Sequence, residues 1–380
     1  MVSLSNHDRR VEGLTVMTDL WIKLALAGIV FFGVLNLAGL HTWVERKQSA
    51  VMQDRIGANR ASIFGIRLFG LFHPLADAVK MFTKEDFIPE KADRFLHTLA
   101  PFLSVFFALV AFAGIPFGDR LVLAGGRVIE LQVAKIDVAV LYIFAMLSLG
   151  VYGVILAGFA SRSNYAFLGA LRASAQMLSY EIALGISIIG VIMIFGTLDL
   201  QELVRAQGAT LGGILPMWGI FLQPVAFFVF LTAALAETKR VPFDLPEGES
   251  EIIGYFVEYS GMKFGMFFLT DFIETVMVAC LATTLFFGGW QVPYLAPAGF
   301  QFPWGGFLPV TEWAYVLLGI GAFTLKVIVF CWLFMTIRWT LPRFRYDQLM
   351  YLGWKVLFPI SVANVLITGG ALALLRPAGW

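Results

Sequence analysis

Eight long apolar runs constrain this 380-residue chain more than any other feature. A helix needs about 20 predominantly apolar residues to cross the hydrocarbon core of a bilayer. Only 14% of the residues are charged, against roughly a quarter in soluble globular domains. We therefore predict an all-α integral membrane protein with a single transmembrane domain over residues 1–380. Its eight transmembrane helices are expected near residues 22–44, 95–117, 137–160, 178–197, 214–236, 264–288, 313–338 and 355–375.

Lysine and arginine residues are shared unevenly between the connecting segments. The first, third, fifth and seventh loops carry 18 of them, whereas the remaining loops and the termini carry 7. Cytoplasmic loops of membrane proteins are enriched in these residues. We therefore predict that the odd-numbered loops are cytoplasmic and that both termini lie on the outer side of a bacterial-type inner (plasma) membrane.

Composition and motifs also argue against several functions. A net charge of +1 leaves no basic surplus for a nucleic-acid partner. Both cysteines, Cys280 and Cys331, lie in apolar runs, so we expect no metal or iron–sulfur site. Haem ligation by His41 and His97 is a weak alternative to a role for these residues at helix ends. No glycine-rich nucleotide-binding motif is present.

The first cytoplasmic loop contains the sequence FHPLADAVKMFTKE, which has the spacing of an amphipathic helix. Leu75, Ala78, Val79 and Phe82 follow the i, i+3, i+4, i+7 pattern, and charged residues lie off this stripe. We predict a helix that lies along the membrane interface. A packed loop helix with no ligand fits the same periodicity.

Several ionisable residues lie within or at the ends of the apolar runs. A charged side chain at the centre of a bilayer costs at least roughly 2.5 to 3.5 kcal/mol unless it is paired, hydrated or neutral. Such residues often line a polar cavity or a proton path, although a structural ion pair, for instance Lys326 with Glu274, is the alternative. The residues concerned are Glu181, Asp271, Glu274 and Lys326.

The fifth loop carries the segment AETKRVPFDLPEGESE, residues 236–251, which we call the acidic loop. Two prolines prevent a continuous helix there. Glu247, Glu249 and Glu251 alternate, and next-but-one side chains of an extended chain share a face roughly 6.5 Å apart. Carboxylates at that distance repel, which favours proton uptake and release near neutral pH. The pattern predicts a proton-handling path that reaches this loop.

Long motifs of this chain resemble, in the same order, those of the H-type membrane subunits of NADH:quinone oxidoreductase (respiratory complex I). The residues from Asn164 through LGALRASAQMLSYE to Glu181 also fit this family. The remaining motifs are ERKQSAVMQDRIGANR (45–60), HPLADAVKMFTKE (73–85), AETKRVPFDLPEGESE (236–251), EYSGMKFGMFFL (258–269) and PRFRYDQLMYLGWK (342–355).

The resemblance implies a subunit that forms part of a quinone tunnel and couples quinone reduction to proton translocation, with no complete catalytic centre of its own. Ubiquinone or menaquinone is the implied substrate, and FMN and Fe-S clusters belong to partner subunits. The implied partners are peripheral-arm subunits with the quinone site and Fe-S clusters, small membrane subunits and antiporter-like subunits.

The resemblance also implies residue roles. Those for the proton path are Glu181, Tyr180, Glu237, Asp244, Glu247, Glu249, Glu251, Glu258 and Asp271. Those for the quinone tunnel are Arg46, Gln53, Arg55, Ala58, Asp77, Ala78, Phe243, Arg343 and Arg345.

Three positions depart from the family pattern: Ala58 replaces a proline, His73 a glutamine, and Asp271 a glutamate in the sixth run, where Glu274 has no regular counterpart. Two alternative functions stay open. One is the homologous membrane subunit of an energy-converting hydrogenase. The other is a stand-alone proton-coupled transporter, against which the lack of an internal repeat argues.

Overall fold

The computed structural model describes residues 6–122, 128–211, 215–245, 248 and 254–375, and within the first helix it describes side chains from residue 18. Helices account for most of this part of the chain. They are α1 (Asn6–Met52), α2 (His73–Thr83), α3 (Arg94–Val110), α4 (Ala139–Ala160), α5 (Asn164–Phe195), α6 (Leu200–Ala206), α7 (Gly219–Leu222), α8 (Pro224–Glu237), α9 (Gly261–Phe286), α10 (Glu312–Thr340), α11 (Tyr346–Tyr351) and α12 (Phe358–Leu375).

Seven helical segments in the described residues are long and apolar enough to cross a membrane. This confirms the prediction of an all-α integral membrane protein, whereas the number of eight spans stays a prediction. The segments are Thr18–Met52, Arg94–Gly114, Ala139–Ala160, Asn164–Phe195, Gly261–Phe286, Glu312–Thr340 and Tyr346–Leu375.

The fifth predicted run forms a broken helix instead of one long helix. The short helix α7 ends at Leu222, and α8 starts at Pro224 and has 14 residues. Gln223 between them has φ −136° and ψ 59°, outside the helical region. Its side-chain amide donates to the Thr368 hydroxyl at 2.8 Å and accepts from the Asn364 amide at 2.8 Å. Side chains of α12 therefore stabilise the break.

The last run begins earlier than the predicted residue 355. Helix α11 starts at Tyr346 and continues through a π-helical segment, Leu352–Leu357, into α12. Arg345, Asp347 and Lys355 hide this extension, because charged residues near a helix end interrupt the apolar pattern from which the run is defined.

Helix α9 lies at the centre of the bundle, and α1 lies at its edge. In the most apolar window of each span, 78% of the α9 residues are buried, against 6% for α1. Helices α1, α2, α3, α8 and α10 all contact α9. Most side chains of α9 from Thr270 onwards are therefore buried in the bundle, and its two carboxylates, Asp271 and Glu274, must find partners there.

Short antiparallel strands occupy the connections at one end of the bundle, which we call the strand end. Strands β1 and β2 pair, as do β3 and β4, and β5, β6 and β7 form a three-stranded sheet. The opposite end carries the acidic loop and is called the loop end. The strands are β1 (Arg120–Val122), β2 (Val128–Glu130), β3 (Thr210–Leu211), β4 (Leu215–Pro216), β5 (Leu295–Ala296), β6 (Gly299–Gln301) and β7 (Phe307–Pro309).

Candidate functional site

A buried lysine at the start of the acidic loop pairs with both carboxylates of α9. Helix α8 ends at Glu237, and Lys239 follows with a φ of 56°, a left-handed conformation that is uncommon for a residue other than glycine. Its Nζ lies 3.1 Å from Oδ1 of Asp271 and 3.4 Å from Oε2 of Glu274, and its side chain is 1% exposed. The two carboxylates are three residues apart and therefore share one face of α9.

This arrangement favours the charged form of Lys239. Burial lowers the pKa of a lysine, but Glu274, Tyr255 and Asp271 together raise the pKa of Lys239 well above its ordinary value. The Lys239 ammonium also lies 5.9 Å from the centre of the Tyr255 ring. We call Lys239, Asp271 and Glu274 the lysine cluster. One cation thus faces two carboxylates, so the cluster can hold a proton on either acid without losing its ion pair.

Glu237 lies beside this cluster and is also buried, and its Oε2 accepts no hydrogen bond from the described residues. A cavity of about 10 Å³ lies between Glu237 and Glu274, which is enough for one water molecule. Glu181 and Glu274 both lie close enough to Glu237 to interact with it electrostatically. A single water can therefore connect two carboxyl groups here.

Glu181 continues the row of carboxylates into the bundle. The Ser148 hydroxyl of α4 donates a hydrogen bond to its carboxylate. The neighbouring Tyr180 is fully buried, and its hydroxyl donates to the carbonyl of Leu349 at 2.8 Å. Glu181 therefore has a hydroxyl partner from another helix, whereas Tyr180 stabilises the contact between α5 and α11.

A second buried cluster, which we call the arginine cluster, consists of Glu45, Arg240 and Arg338. The two carboxylate oxygens of Glu45 lie 2.5 Å from Arg338 Nη1 and 3.2 Å from Arg240 Nη1. The Arg240 guanidinium also covers the Phe272 ring at 3.9 Å. The sequence analysis missed Glu45 as a site residue, although its place in the motif ERKQSAVMQDRIGANR was a signal.

Asp244 connects the acidic loop to the segment before α11. Its Oδ2 lies 2.9 Å from Arg343 Nη2. Burial raises the pKa of Asp244 to about 6, although Arg343 and Arg338 oppose this shift. Phe243 is buried and stacks on Phe344 with ring centres 5.4 Å apart. Asp244 can therefore take up or release a proton near neutral pH.

The amphipathic helix predicted in the first loop is present as α2. Arg46 of α1 forms an ion pair with Asp77 of α2 at 2.5 Å, and Lys80 lies 3.5 Å from the same carboxylate. Leu75 and Val79 are more than half exposed, whereas Ala78 is only partly exposed. The apolar stripe therefore faces away from the bundle, and one salt bridge attaches α2 to α1.

Three further residues predicted for the tunnel, Gln53, Arg55 and Ala58, lie in the chain that follows α1. Gln53 and Arg55 are exposed. The Ala58 carbonyl packs tightly on Gly70, where a Cβ atom would lie only 2.1 Å from its oxygen. Gly70 also has a φ of 86°. A glycine is therefore required at this close approach, directly before α2.

Two predicted residues lie apart from the buried clusters. Glu258 offers its backbone carbonyl to His97 at 3.3 Å, and no contact joins its carboxylate to the lysine cluster in the described part of the chain. Arg345 is exposed and pairs with Asp347 at 2.7 Å. Glu247, Glu249 and Glu251 lie outside the described residues.

The suggested ion pair between Lys326 and Glu274 is wrong. Lys326 donates to the backbone carbonyls of Phe287, Gly289 and Gln291 at 2.7 to 2.9 Å. These carbonyls lie in the connection that follows α9. Lys326 therefore fastens this connection to α10 at the strand end, far along α9 from the lysine cluster.

The two histidines considered as haem ligands each pack against a different aromatic ring. His97 stacks on Tyr259 with ring centres 3.9 Å apart, and His41 packs against Phe272 at 5.3 Å. Within the described ranges, no group of three or more histidine, cysteine or acidic side chains could hold a metal ion.

Comparison with known proteins gives one consistent result. A family model described as NADH dehydrogenase matches residues 24–369. An NADH-quinone oxidoreductase H subunit of Geobacter metallireducens is 44% identical over 94% of this chain and 99% of that protein. The H subunit of Thermomicrobium roseum is 45% identical over 92% of this chain and 96% of its own length. An H subunit of Cytophaga hutchinsonii is 43% identical over 93% and 97%, respectively. The chain therefore belongs to the NADH dehydrogenase family, within the group of NADH-quinone oxidoreductase H subunits.

Proposed function

We propose that this chain forms part of the quinone tunnel in a proton-pumping NADH:quinone oxidoreductase and couples quinone reduction to proton translocation. The observation that carries the proposal is the lysine cluster, in which one buried cation is shared between Asp271 and Glu274 beside Glu237. Ionisable groups within a transmembrane helix bundle are costly and usually mark ion or proton pathways. The names of the similar proteins supply the reaction to which such a pathway belongs.

The proposed coupling starts at the acidic loop. Reduction of a quinone to a quinol takes two electrons and two protons. Electrons that reach the quinone add negative charge in the tunnel, and this charge favours proton transfer towards the quinone. Asp244 has a pKa of about 6 and can exchange a proton near neutral pH. The proton path then continues through the lysine cluster and Glu237 to Glu181. Glu247, Glu249 and Glu251 are proposed to supply protons from the cytoplasmic side.

The tunnel is proposed to open beside α2. The apolar residues of α2 face away from the bundle, so a quinone tail can enter from the bilayer. Arg46 and Asp77 form the polar contact on the inner side of α2. Gln53, Arg55, Ala58, Ala78, Phe243, Arg343 and Arg345 are proposed to complete the tunnel and its junction with the peripheral partner.

The redox groups are proposed to belong to partner subunits. FMN and Fe-S clusters in the peripheral arm would carry the electrons of NADH, and ubiquinone or menaquinone would receive them at the junction with this chain. Small membrane subunits and antiporter-like subunits are the proposed lateral partners. The identity of 43 to 45% to H subunits over more than nine-tenths of the chain favours this assembly over a hydrogenase or a stand-alone transporter.

Glu237→Gln tests the proton path in the assembled complex. The substitution keeps the size of the side chain but removes a titratable group, so the fold should persist while proton transfer fails. We expect NADH:quinone turnover to fall by about tenfold or more, and proton pumping to fall with it. NADH oxidation with a water-soluble artificial acceptor should remain, because it needs only the partner subunits.

Glu202→Gln is the matched control, since Glu202 is exposed on α6 at the strand end. Its turnover and pumping should equal those of the unmodified complex. Full pumping at an unchanged rate in Glu237→Gln would contradict the proposed path.

Ala78→Trp tests the tunnel entrance. Ala78 follows Asp77 and is partly buried, whereas its neighbour Val79 is 55% exposed. We expect Ala78→Trp to raise the KM for a long-tail quinone several-fold more than for a short-tail quinone, with little effect of Val79→Trp. Equal effects of Ala78→Trp on both quinones would argue against a tunnel beside α2.

A further inference from the structure

An apolar groove runs along the half of α1 that is nearer the strand end. Its volume is about 330 Å³, and it lies between α1, α9 and α10. A second groove of about 350 Å³ lies on the other side of α1, against α3. The two grooves share Val30, Val34, Phe112 and Val133. Apolar grooves therefore flank this half of α1 on two sides.

The depth of the first groove matches one leaflet of a bilayer. Its α1 wall runs from Leu26 to Leu37, and at 1.5 Å per residue this length is about 16 Å. The hydrocarbon core of a bilayer is about 30 Å thick, so one leaflet occupies about 15 Å. An acyl chain that enters from the strand end therefore fits the length of the groove.

A polar groove of about 410 Å³ lies directly above the apolar one. Leu26 and Gln132 line both, so the two grooves adjoin at these residues. Four charged side chains line the polar groove: Asp19 and Lys23 from α1, and Glu130 and Lys135 from the segment around β2. Two cations and two carboxylates balance in charge.

Lys23 is the member of this set that is open to a ligand. No hydrogen bond or ion pair joins it to another side chain in the described residues, whereas Lys135 lies 3.4 Å from Glu130. A lysine ammonium donates up to three hydrogen bonds and accepts none. It therefore suits a phosphate oxygen, and the nearby carboxylates suit an ammonium group.

We propose that this face of the chain binds a phospholipid with a zwitterionic phosphoethanolamine headgroup. The phosphate lies near Lys23 and Lys135, the ammonium lies near Asp19 and Glu130, and the acyl chains occupy the grooves on the two sides of α1. The balanced charge of the polar groove argues against an anionic lipid, since the two carboxylates would repel it. Lys23, which has no ion-pair partner in the described residues, also favours a phosphate-bearing lipid over an apolar partner helix, which brings no anion to it.

Two glycines of α1 provide a matched pair of variants. A Cβ atom added at Gly33 or at Gly28 meets no atom within 4 Å, so both positions accept a larger side chain. Gly33 lines the apolar groove, and Gly28 lines neither groove. Gly33→Trp should fill the acyl-chain site, whereas Gly28→Trp should leave it open.

The first experiment measures lipids that remain with the purified complex. After a mild detergent wash, we expect Gly33→Trp to retain at least fivefold less phosphatidylethanolamine than Gly28→Trp. Added phosphatidylethanolamine should bind again only to the Gly28→Trp complex. Equal retention in the two variants would overturn the proposal, and so would preferential retention of phosphatidylglycerol by the unmodified complex.

The second experiment separates a lipid from a protein in the groove. A photoreactive amino acid at position 33 should give a phospholipid adduct on irradiation, and an adduct with a partner subunit would overturn the proposal. The double variant Lys23→Ala and Lys135→Ala should lower retention of phosphatidylethanolamine several-fold. Unchanged retention in this variant would contradict the assignment of the headgroup site.

Discussion

The two ends of the bundle each bury ionisable side chains, but they satisfy them differently. At the strand end, Lys326 uses its three donors on three backbone carbonyls. Asp119 likewise accepts from Arg205 at 2.9 Å and from Tyr315 at 3.2 Å. At the loop end, Lys239 lies at ion-pair distance from Asp271 and Glu274. Within the described residues, however, one oxygen of each acid accepts no hydrogen bond.

We propose that this difference separates a structural role at the strand end from the coupling role proposed for the loop end. Backbone carbonyls cannot take up protons, so Lys326 has one stable set of partners. Carboxylates can, so Lys239 has several arrangements that differ in where a proton lies. An incompletely hydrogen-bonded buried group is costly, and natural proteins retain few of them. The loop end therefore keeps its polar groups in a state that proton transfer can change.

Replacement of each of the two lysines should give the largest difference between the two ends. Lys239→Met leaves two buried carboxylates without a cation, which costs about 3 to 5 kcal/mol for a buried ion pair. We expect a large loss of thermal stability and of quinone turnover in whatever complex assembles. The measurements are the melting temperature of the purified complex and NADH:quinone activity per assembled complex.

Lys326→Met is the comparison at the strand end. It leaves carbonyl groups without donors, so we expect a smaller loss of stability of about 1 to 3 kcal/mol. Turnover per assembled complex should stay near that of the unmodified protein. If Lys326→Met and Lys239→Met reduced turnover per complex equally, the distinction between the two ends would be wrong.

A smaller effect is expected from a change in the pKa of Asp244 at the loop end. Arg343 opposes the rise in the pKa of Asp244, so Arg343→Gln should move this pKa above about 6. The carboxyl group is then neutral over a wider range, because it protonates as the pH falls through its pKa. We expect the acid limb of the pH profile for quinone turnover to move to higher pH by about one pH unit.

Arg94→Gln is the control for this measurement, since Arg94 is exposed at the start of α3 and lies outside the proposed path and tunnel. Its pH profile should match that of the unmodified complex. An unmoved acid limb in Arg343→Gln, with normal assembly, would show that Asp244 does not govern turnover in this range.

The sequence predicted the helices better than the partners of the buried charges. Long apolar runs identify membrane spans because the bilayer demands a fixed length of apolar helix. The break at Gln223 was hidden, since the residues on both sides are apolar and only the amide contacts with α12 reveal it. The early start of the last helix was hidden by its charged first turn.

The lysine cluster was only half visible in the sequence. The three-residue spacing of Asp271 and Glu274 placed both acids on one face of α9. Their partner was not visible, because the left-handed backbone of Lys239 turns its side chain back into the bundle. Lys326 was the more obvious candidate, since it lies within an apolar run. Pairing across the bundle depends on tertiary packing, which local patterns do not encode.

Gln176 sets a limit on how the acidic loop can act. Its side-chain amide donates to the carbonyls of Ala236 and Phe243, both at 2.7 Å. The two ends of the segment 236–243 are thus fastened to one point on α5. We therefore expect movement of the loop to start after Phe243. Asp244 is then the first residue beyond the anchor, where a change in charge can become a change in shape.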